Sequence, residues 1–311
     1  MNYSMENRKN KNAFAFSITL WIVASLLLAT VVILRFAKDE VSLSRALNNK
    51  LQTQVEAKSV LEALKFYVPT AKLTSTSLKN GLLENFKYPF PLDLIVDGRE
   101  YNLSKNITIS LEDISGLQNL IYAPANVVAK VLTTQQNEAF GKVLEASLKD
   151  WRDQDNVVHV NGAEQSSYAK RGEYFKVRNN SAIQDIHELT IINGFKNVNF
   201  NMIEENFTLG RGAGMNLMLI KNRRYLAHIL NVDENFVSRL LELRKSEPKK
   251  FKKTVESLDG FDDDYMGFWL SKHFRIVIKV TKGKAKTVLK ANVSFKPHNN
   301  RQYITHFYKL N

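Results

Sequence analysis

Cysteine is absent from this chain of 311 residues, which excludes a disulfide framework, a thiolate nucleophile and a sulfur-rich zinc site together and leaves the redox compartment open. Blocks of five or six like charges are also absent, although Lys plus Arg (44) outnumber Asp plus Glu (31) and the formal charge is +13. The surplus favours anionic surfaces in general, but the cations are dispersed and no nucleic-acid partner is expected. No H-E-x-x-H pattern and no serine nucleophile motif occurs, and His159, His187, His273 and His306 lie far apart, as isolated histidines do. The glycine-rich "GRGAG" at 210–214 lacks the Lys-Ser/Thr of a phosphate loop and reads as a plain loop. No enzyme is expected, while 44% hydrophobic residues are enough for a substantial core.

What the chain does contain begins with "AFAFSITLWIVASLLLATVVIL", Ala13 to Leu34, free of charge between Lys11 and Arg35. As a helix this run crosses a hydrocarbon core of about 30 Å. Arg8, Lys9 and Lys11 precede it, so the positive-inside rule keeps the N-terminus cytoplasmic and sends the body across the inner membrane into the periplasm in a single pass. Neither proline nor glycine occurs from Phe36 to Val68, and Leu43, Leu47, Leu51, Val55, Leu61 and Leu64 recur at near-helical spacing. The spacing predicts one helix of roughly 80 Å from Phe14 to Tyr67, membrane-spanning and then amphipathic.

Strand signals follow in two groups. "LDLIVDGREYNL" (92–103) reads as a hairpin about Asp97-Gly98, with "ITISL" (107–111) as a third strand; "FRIVIKV", "TVLKANVSF" and "QYITHFYKL" (274–310) read as antiparallel strands turning at Lys282-Gly283 and 297–300. The segment between is mostly helical in pattern: "NVVAKVL", "EAFGKVLEASLKDW", "IQDIHELTII", "RRYLAHIL" and "ENFVSRLLELRK". The expected class is α+β: a long N-terminal transmembrane and stalk helix and an antiparallel sheet carrying a large α-helical insertion. Two separate domains, one β and one α, are the alternative. The expected boundaries are a leader (1–13), transmembrane and stalk helix (14–67), first part of the sheet (68–112), inserted α-domain (113–258) and closing strands (259–311).

Within the insertion, "SLKDWRDQDN" (147–156) and "GAE" (162–164) gather Asp150, Asp153, Asp155 and Glu164. Spacing alone favours a solvated acidic turn after a helix, with Trp151 in the core. Oxygen ligands without His or Cys would otherwise suit Ca²⁺ better than zinc, although the spacing is not that of an EF-hand. A second run, Asp262, Asp263 and Asp264, reads as a solvated linker.

The basic leader, the small Ala13 and the following Phe14 resemble a prepilin peptidase site, with cleavage between Ala13 and Phe14. Two residues depart from the pattern of type IV pilin-like proteins: Ala13 stands where Gly is usual, and Ile18, fifth after the cut, stands where most members carry Glu. That Glu is thought to pair with a neighbouring subunit's N-terminus, and an unpaired acid costs about 3 kcal/mol in the bilayer. Its loss points to a subunit at the filament tip. "DISGLQNL" (113–120), "LKDWRDQDN", "GAEQSSY", "ELTIINGF" (188–195), "GEYFKVRN" (172–179) and the Asn216 helix segment then resemble, in order, general secretion pathway protein K, the minor pseudopilin K family of type II secretion.

This resemblance implies a tip pseudopilin that initiates the pseudopilus and supports secretion across the outer membrane. Its implied partners are other minor pseudopilins, the prepilin peptidase, the inner membrane, and a secreted substrate or the outer-membrane secretin. It also implies a methylated mature N-terminus and structural Ca²⁺ held by Asp150, Asp153, Asp155 and Glu164. Phe14, Ile18, Leu20, Trp21, Leu27 and Val31 would make membrane and filament contacts. A minor pilin at a type IV pilus tip, serving adhesion or DNA uptake, and an unrelated single-pass periplasmic scaffold are the alternatives.

Overall fold

The computed structural model describes residues 3–80, 87–133, 137–175, 177, 183–210, 214–296 and 303–311; the side chains of 3–13 and 15 are outside the description. The expected turn at 297–300, Arg178, Asn179, the middle of the glycine-rich loop and the side chain of Ala13 therefore lie outside the described residues. Two compact units are distinguished: Met1–Glu56 with Val280–Thr287, and Ala57–Lys279 with Val288–Asn311.

The first unit holds most of helix α1 (Tyr3–Thr70). This helix is long and apolar enough to cross a membrane. Phe14, Ile18, Leu20, Trp21, Leu27 and Val31 are all exposed, and so is the stripe Leu43, Leu47, Leu51 and Val55. Apolar exposure on this scale marks a membrane or protein contact surface. Polar contacts in the unit join the helix to the tip of a hairpin: Thr53 Oγ1 and Thr287 Oγ1 share a hydrogen bond of 2.7 Å, and Lys50 Nζ donates to the Lys286 carbonyl at 2.7 Å.

In the second unit the same helix is buried along Ala57, Val60, Leu61, Leu64, Tyr67 and Val68. Tyr67 packs on Phe90 at 5.0 Å between ring centres and donates its hydroxyl to the Pro91 carbonyl. Pro69 lies in the last turn and Thr70 ends the helix. Strands β1 (Lys72–Leu73), β2 (Ser77–Lys79) and β3 (Asp93–Ile95) form a small sheet in that order. Strands β4 (Asp97–Ser104) and β5 (Ile107–Asp113), with three strands from the C-terminal end of the chain, form the main sheet. The expected hairpin about Asp97-Gly98 is thus corrected. Gly98, at φ 86°, lies where the chain leaves one sheet for the other, and β3 pairs with β2 while β4 pairs with β5. A positive φ at an Asp-Gly step marks a sharp change of direction, which a hairpin and a sheet-to-sheet crossing both need.

Beyond β5 come β6 (Gln118–Asn119), α2 (Ala125–Leu132), α3 (Glu138–Arg152), α4 (Gln165–Lys170), α5 (Phe200–Asn206), β7 (Phe207–Thr208), β8 (Met215–Asn216), α6 (Arg223–Ile229), α7 (Glu234–Ser246), α8 (Pro248–Glu256) and β9 (Met266–Gly267). The segment "IQDIHELTII" forms only a 3₁₀ turn at Ile186–Ile191, started by the Asp185 carboxylate on the His187 N–H. Helix α8 was not anticipated, because its lysines obscure an apolar pair at i, i+4, Phe251 and Val255, which is fully buried. Trp151, Tyr168, Phe195, Phe207 and Phe251 fill one continuous core in this region.

Strands β10 (His273–Lys282), β11 (Ala285–Ser294) and β12 (Ile304–Leu310) complete the main sheet in the order β12-β11-β10-β5-β4. Alternate residues Phe274, Ile276, Ile278 and Val280 of β10 and Leu289, Ala291 and Val293 of β11 are buried, as a period of two requires. From β10 and β11, Arg275 donates to the Glu204 and Phe207 carbonyls and Lys290 pairs with Glu204, tying the sheet to α5 and β7. Although β5 and β10 are neighbours in the sheet, residues 114–272 intervene in sequence. Both ends of that excursion are held by the buried Asp113 carboxylate, which accepts from the N–H and hydroxyl of Ser115 (2.9 and 2.6 Å) and of Ser271 (2.8 and 2.6 Å). The α+β class is borne out.

Candidate functional site

Helix α3 is amphipathic, with Leu144, Leu148 and Trp151 buried, so the residue beside Trp151 is carried inward at the helix end. That residue is Asp150, fully buried. Trp151 is fixed by Tyr168 and Phe175 at ring distances of 5.8 and 5.7 Å, and its indole N–H donates to Glu188 Oε1 at 2.8 Å. Arg152 donates to the carbonyls of Leu120 and Ala123, which anchors the helix end to the region before α2. The backbone then becomes extended at Asp153, and Asp155 Oδ1 accepts from the Val157 N–H at 2.8 Å.

The return of the loop depends on four consecutive residues, Asn161 to Glu164. Asn161 takes φ 71°, a conformation Asn tolerates, and the Gly162 N–H donates to the His159 carbonyl at 2.8 Å. Gly162 faces Asp150 so closely that a Cβ there would lie 2.0 Å from Asp150 Oδ2. Ala163 is fully buried, and Glu164 caps α4 by accepting from the Gln165 N–H. The core therefore holds the loop closed from both sides, with Glu164 only 1% exposed.

These constraints bring all four sequence-predicted acids together. The ligand atoms of Asp153, Asp155 and Glu164 lie within 4.8 Å of one another, as do those of Asp150, Asp153 and His159. Two unit charges at such a distance repel by about 3 kcal/mol at an effective dielectric constant of about 20. Burial raises the Glu164 carboxyl to about 7, with Asp153 adding repulsion, and burial followed by Asp155 and Asp150 raises Asp153. Among the described residues, the buried side-chain oxygens without a hydrogen-bond partner are Gln118 Oε1, Asp150 Oδ2, Asp153 Oδ1 and Glu164 Oε1, so three of the four are in this cluster. Buried carboxylate oxygens left unpaired are costly, and a hard divalent cation satisfies them with oxygen ligands. The donor set thus fits Ca²⁺, and the solvated-turn alternative does not account for the burial of Asp150 and Glu164.

One correction concerns histidine. His159 is not isolated: its Nδ1 contacts Asp150 Oδ1 and lies 3.9 Å from Asp153 Oδ2, so the cluster is not free of nitrogen. A ligand type placed nine residues after Asp150 across an irregular loop leaves no periodic signal. His273 and His306 also meet, with rings stacked at 6.5 Å, and burial with Lys296 nearby lowers His273 to about 4. The run Asp262, Asp263 and Asp264 is exposed and forms a turn in which Asp262 Oδ1 accepts the Asp264 N–H.

The remaining motif residues are structural. Asn119 donates to the Gly210 carbonyl at 3.0 Å, Asn216 donates to the Ser75 carbonyl at 2.7 Å, and Asn193 joins Ser147 while its N–H donates to the Tyr168 hydroxyl.

Residues 113–208 match the family described as type II secretion system (T2SS), protein K. A comparison with curated proteins finds no match. Among solved structures, the fold is similar to a chain of the crystal structure of the GspK-GspI-GspJ complex from the enterotoxigenic Escherichia coli type 2 secretion system. The TM-score is 0.56 at 14% identity, over 86% of this chain and 98% of that one. The matched residues include the acidic cluster and the Asp113 root of the insertion. These findings support the resemblance drawn from the sequence, a type II secretion minor pseudopilin K.

Proposed function

We propose that this chain works as the K-type minor pseudopilin at the tip of a type II secretion pseudopilus, where it initiates assembly and supports secretion across the outer membrane. Prepilin peptidase removes the leader between Ala13 and Phe14, the new amine is methylated, and α1 anchors the protein in the inner membrane with the body periplasmic. The carrying observation is the apolar face of α1, exposed from Phe14 through Val31 and continued by Leu43, Leu47, Leu51 and Val55, in a chain that shares a fold with GspK. Lipid covers the first part, and helices of partner pseudopilins of the GspI and GspJ kind cover the second, as left-handed helix packing buries a stripe at this spacing. Ile18 in place of an acid leaves no demand for a neighbouring amine.

In this reading Asp150, Asp153, Asp155 and Glu164 hold Ca²⁺, which neutralises their mutual repulsion and fastens the 153–164 loop to α3. The role is structural, with no reaction attached.

The test uses the lack of cysteine. A single L47C substitution, in a chain otherwise without thiols, should crosslink in native membranes to minor pseudopilins carrying matching cysteines in their own stalk helices, whereas L61C should not, because Leu61 is buried. Mass spectrometry of the same preparation should show a mature chain beginning at Phe14. An intact leader together with no crosslink at residue 47 would leave an ordinary membrane anchor.

A further inference from the structure

The stretch that follows α8 turns two aromatic side chains outward. Around strand β9 the burial alternates: Met266 is buried and Phe268 packs on Phe251 and Phe261 at 6.3 and 6.1 Å between ring centres, whereas Tyr265 and Trp269 are 64% and 58% exposed. Gly267 lies between the two and is buried, and it seats the indole: a Cβ there would collide with Cη2, Cζ3 and Cζ2 of Trp269. The main chain is held from behind, because the Tyr265 and Gly267 carbonyls accept from the Met215 and Leu217 N–H groups at 2.6 and 3.0 Å. Exposed apolar residues scattered singly are ordinary, but two large rings placed on one side of a fixed stretch form a contact surface.

The adjoining charge selects the occupant. Asp262, Asp263 and Asp264 run directly into Tyr265 and are exposed. Among the described residues none of the three forms an ion pair, although the chain carries a formal charge of +13. The Asp262 carbonyl accepts from the Tyr265 and Met266 N–H groups at 3.2 and 2.7 Å, which fixes the backbone that joins the carboxylates to the first ring.

We infer that the surface of Tyr265 and Trp269, with its acidic rim, docks an extended protein segment that presents arginine. A guanidinium stacks on an aromatic ring and forks to a carboxylate, so it engages both halves of this surface, whereas an ammonium is a point charge that cannot fork. The same stretch already holds a cation on a ring, with Lys252 Nζ 5.2 Å over the centre of Phe268. Tyrosine, tryptophan and arginine are also the residues that recur where a few side chains carry most of a binding energy. The rings and carboxylates are spread over residues 262–269, which an extended segment matches and a single small cation does not.

The experiment uses the full chain in nonionic detergent micelles and a dye-labelled hexapeptide of alternating glycine and arginine, with binding read by fluorescence anisotropy at low salt. A formal charge of +13 opposes this peptide in general, so binding reports a local surface. The citrulline counterpart, equal in shape and uncharged, should bind at least about tenfold more weakly. W269A should weaken binding of the arginine peptide about threefold or more, and G267A, which keeps the ring but forces it aside, should do the same. The triple variant D262N/D263N/D264N, changed only at exposed residues, should also weaken it about threefold or more and flatten its salt dependence. Y122A, which removes an exposed ring elsewhere, should leave binding unchanged. No binding of the arginine peptide, equal binding of the citrulline peptide, or binding untouched by W269A and by the triple variant would overturn the proposal. Binding of a β-1,4-linked N-acetylglucosamine tetramer that W269A abolishes, with no response to the arginine peptide, would assign the rings to a sugar and overturn it as well.

Discussion

Asp150, Asp153, Asp155 and Glu164 form one acidic stretch of this basic chain, and Asp262, Asp263 and Asp264 form another. Written out they look alike, yet the fold treats them oppositely. In the first, Asp150 and Glu164 are drawn inward beside Trp151 and Ala163 while Asp155 stays exposed, and three buried oxygens keep no partner; the second stays in water and spends a carboxylate on closing its own turn, with the Asp262 carbonyl accepting from Tyr265 and Met266. The difference teaches that charge density along the chain does not decide how a carboxylate is housed. What decides it is whether the surrounding apolar residues deny the carboxylates water.

The sharpest way to break the comparison is to add and then withdraw the Ca²⁺ proposed for the first run. With Ca²⁺ at about one hundred times its dissociation constant, linkage gives about 2.7 kcal/mol of stabilisation, or about 5 to 10 °C in midpoint for a unit of this size. Calorimetry should show that shift lost in chelator and in D150N or E164Q. It should be kept in the triple variant D262N/D263N/D264N; a shift lost there too would erase the distinction between the two runs.

A second variant probes the space rather than the charge. G162A places a methyl group 2.0 Å from Asp150 Oδ2 and should cost about 1 to 3 kcal/mol in chemical unfolding, together with the Ca²⁺ response. G172A, at φ 74° with nothing within 4 Å of the new methyl, should cost only backbone strain, about 1 kcal/mol, and leave the Ca²⁺ response intact.

A weaker, pH-dependent effect lies outside both clusters. His273, held near 4 by burial and by Lys296 and His306, binds fewer protons folded than unfolded. Stability should therefore be fully present above about 6.5 and decline as pH falls from there to about 4. H273N should flatten that slope in pH-resolved thermal melts. The smallest effect is expected for D263N alone, within about 0.5 kcal/mol by the same melts.

Periodicity made much of this molecule legible. The apolar run and its Pro- and Gly-free continuation marked α1, alternation marked β10 to β12, and 3.6-residue spacing marked α2, α3, α6 and α7. Where one local signal serves two outcomes, the reading failed, as at Asp97-Gly98, whose bend joins two sheets. The stripe from Leu43 to Leu64 was visible too, but not that Leu43, Leu47 and Leu51 are exposed while Leu61 and Leu64 are buried, since burial depends on what tertiary structure brings alongside. At the acidic site the four carboxylates were legible and His159 was not. An imidazole brought to Asp150 ahead of a left-handed Asn and a space reserved by a glycine are set by loop geometry, which leaves no repeat in the chain.

The carboxylate of Asp113 has one more consequence. Because it clasps Ser115 and Ser271 together and the flanking strands β5 and β10 already lie side by side, the chain leaves and re-enters the main sheet through a single two-pronged socket. A doorway of this kind keeps the register of β5 against β10 independent of how many residues lie between them, because entry and exit share one carboxylate.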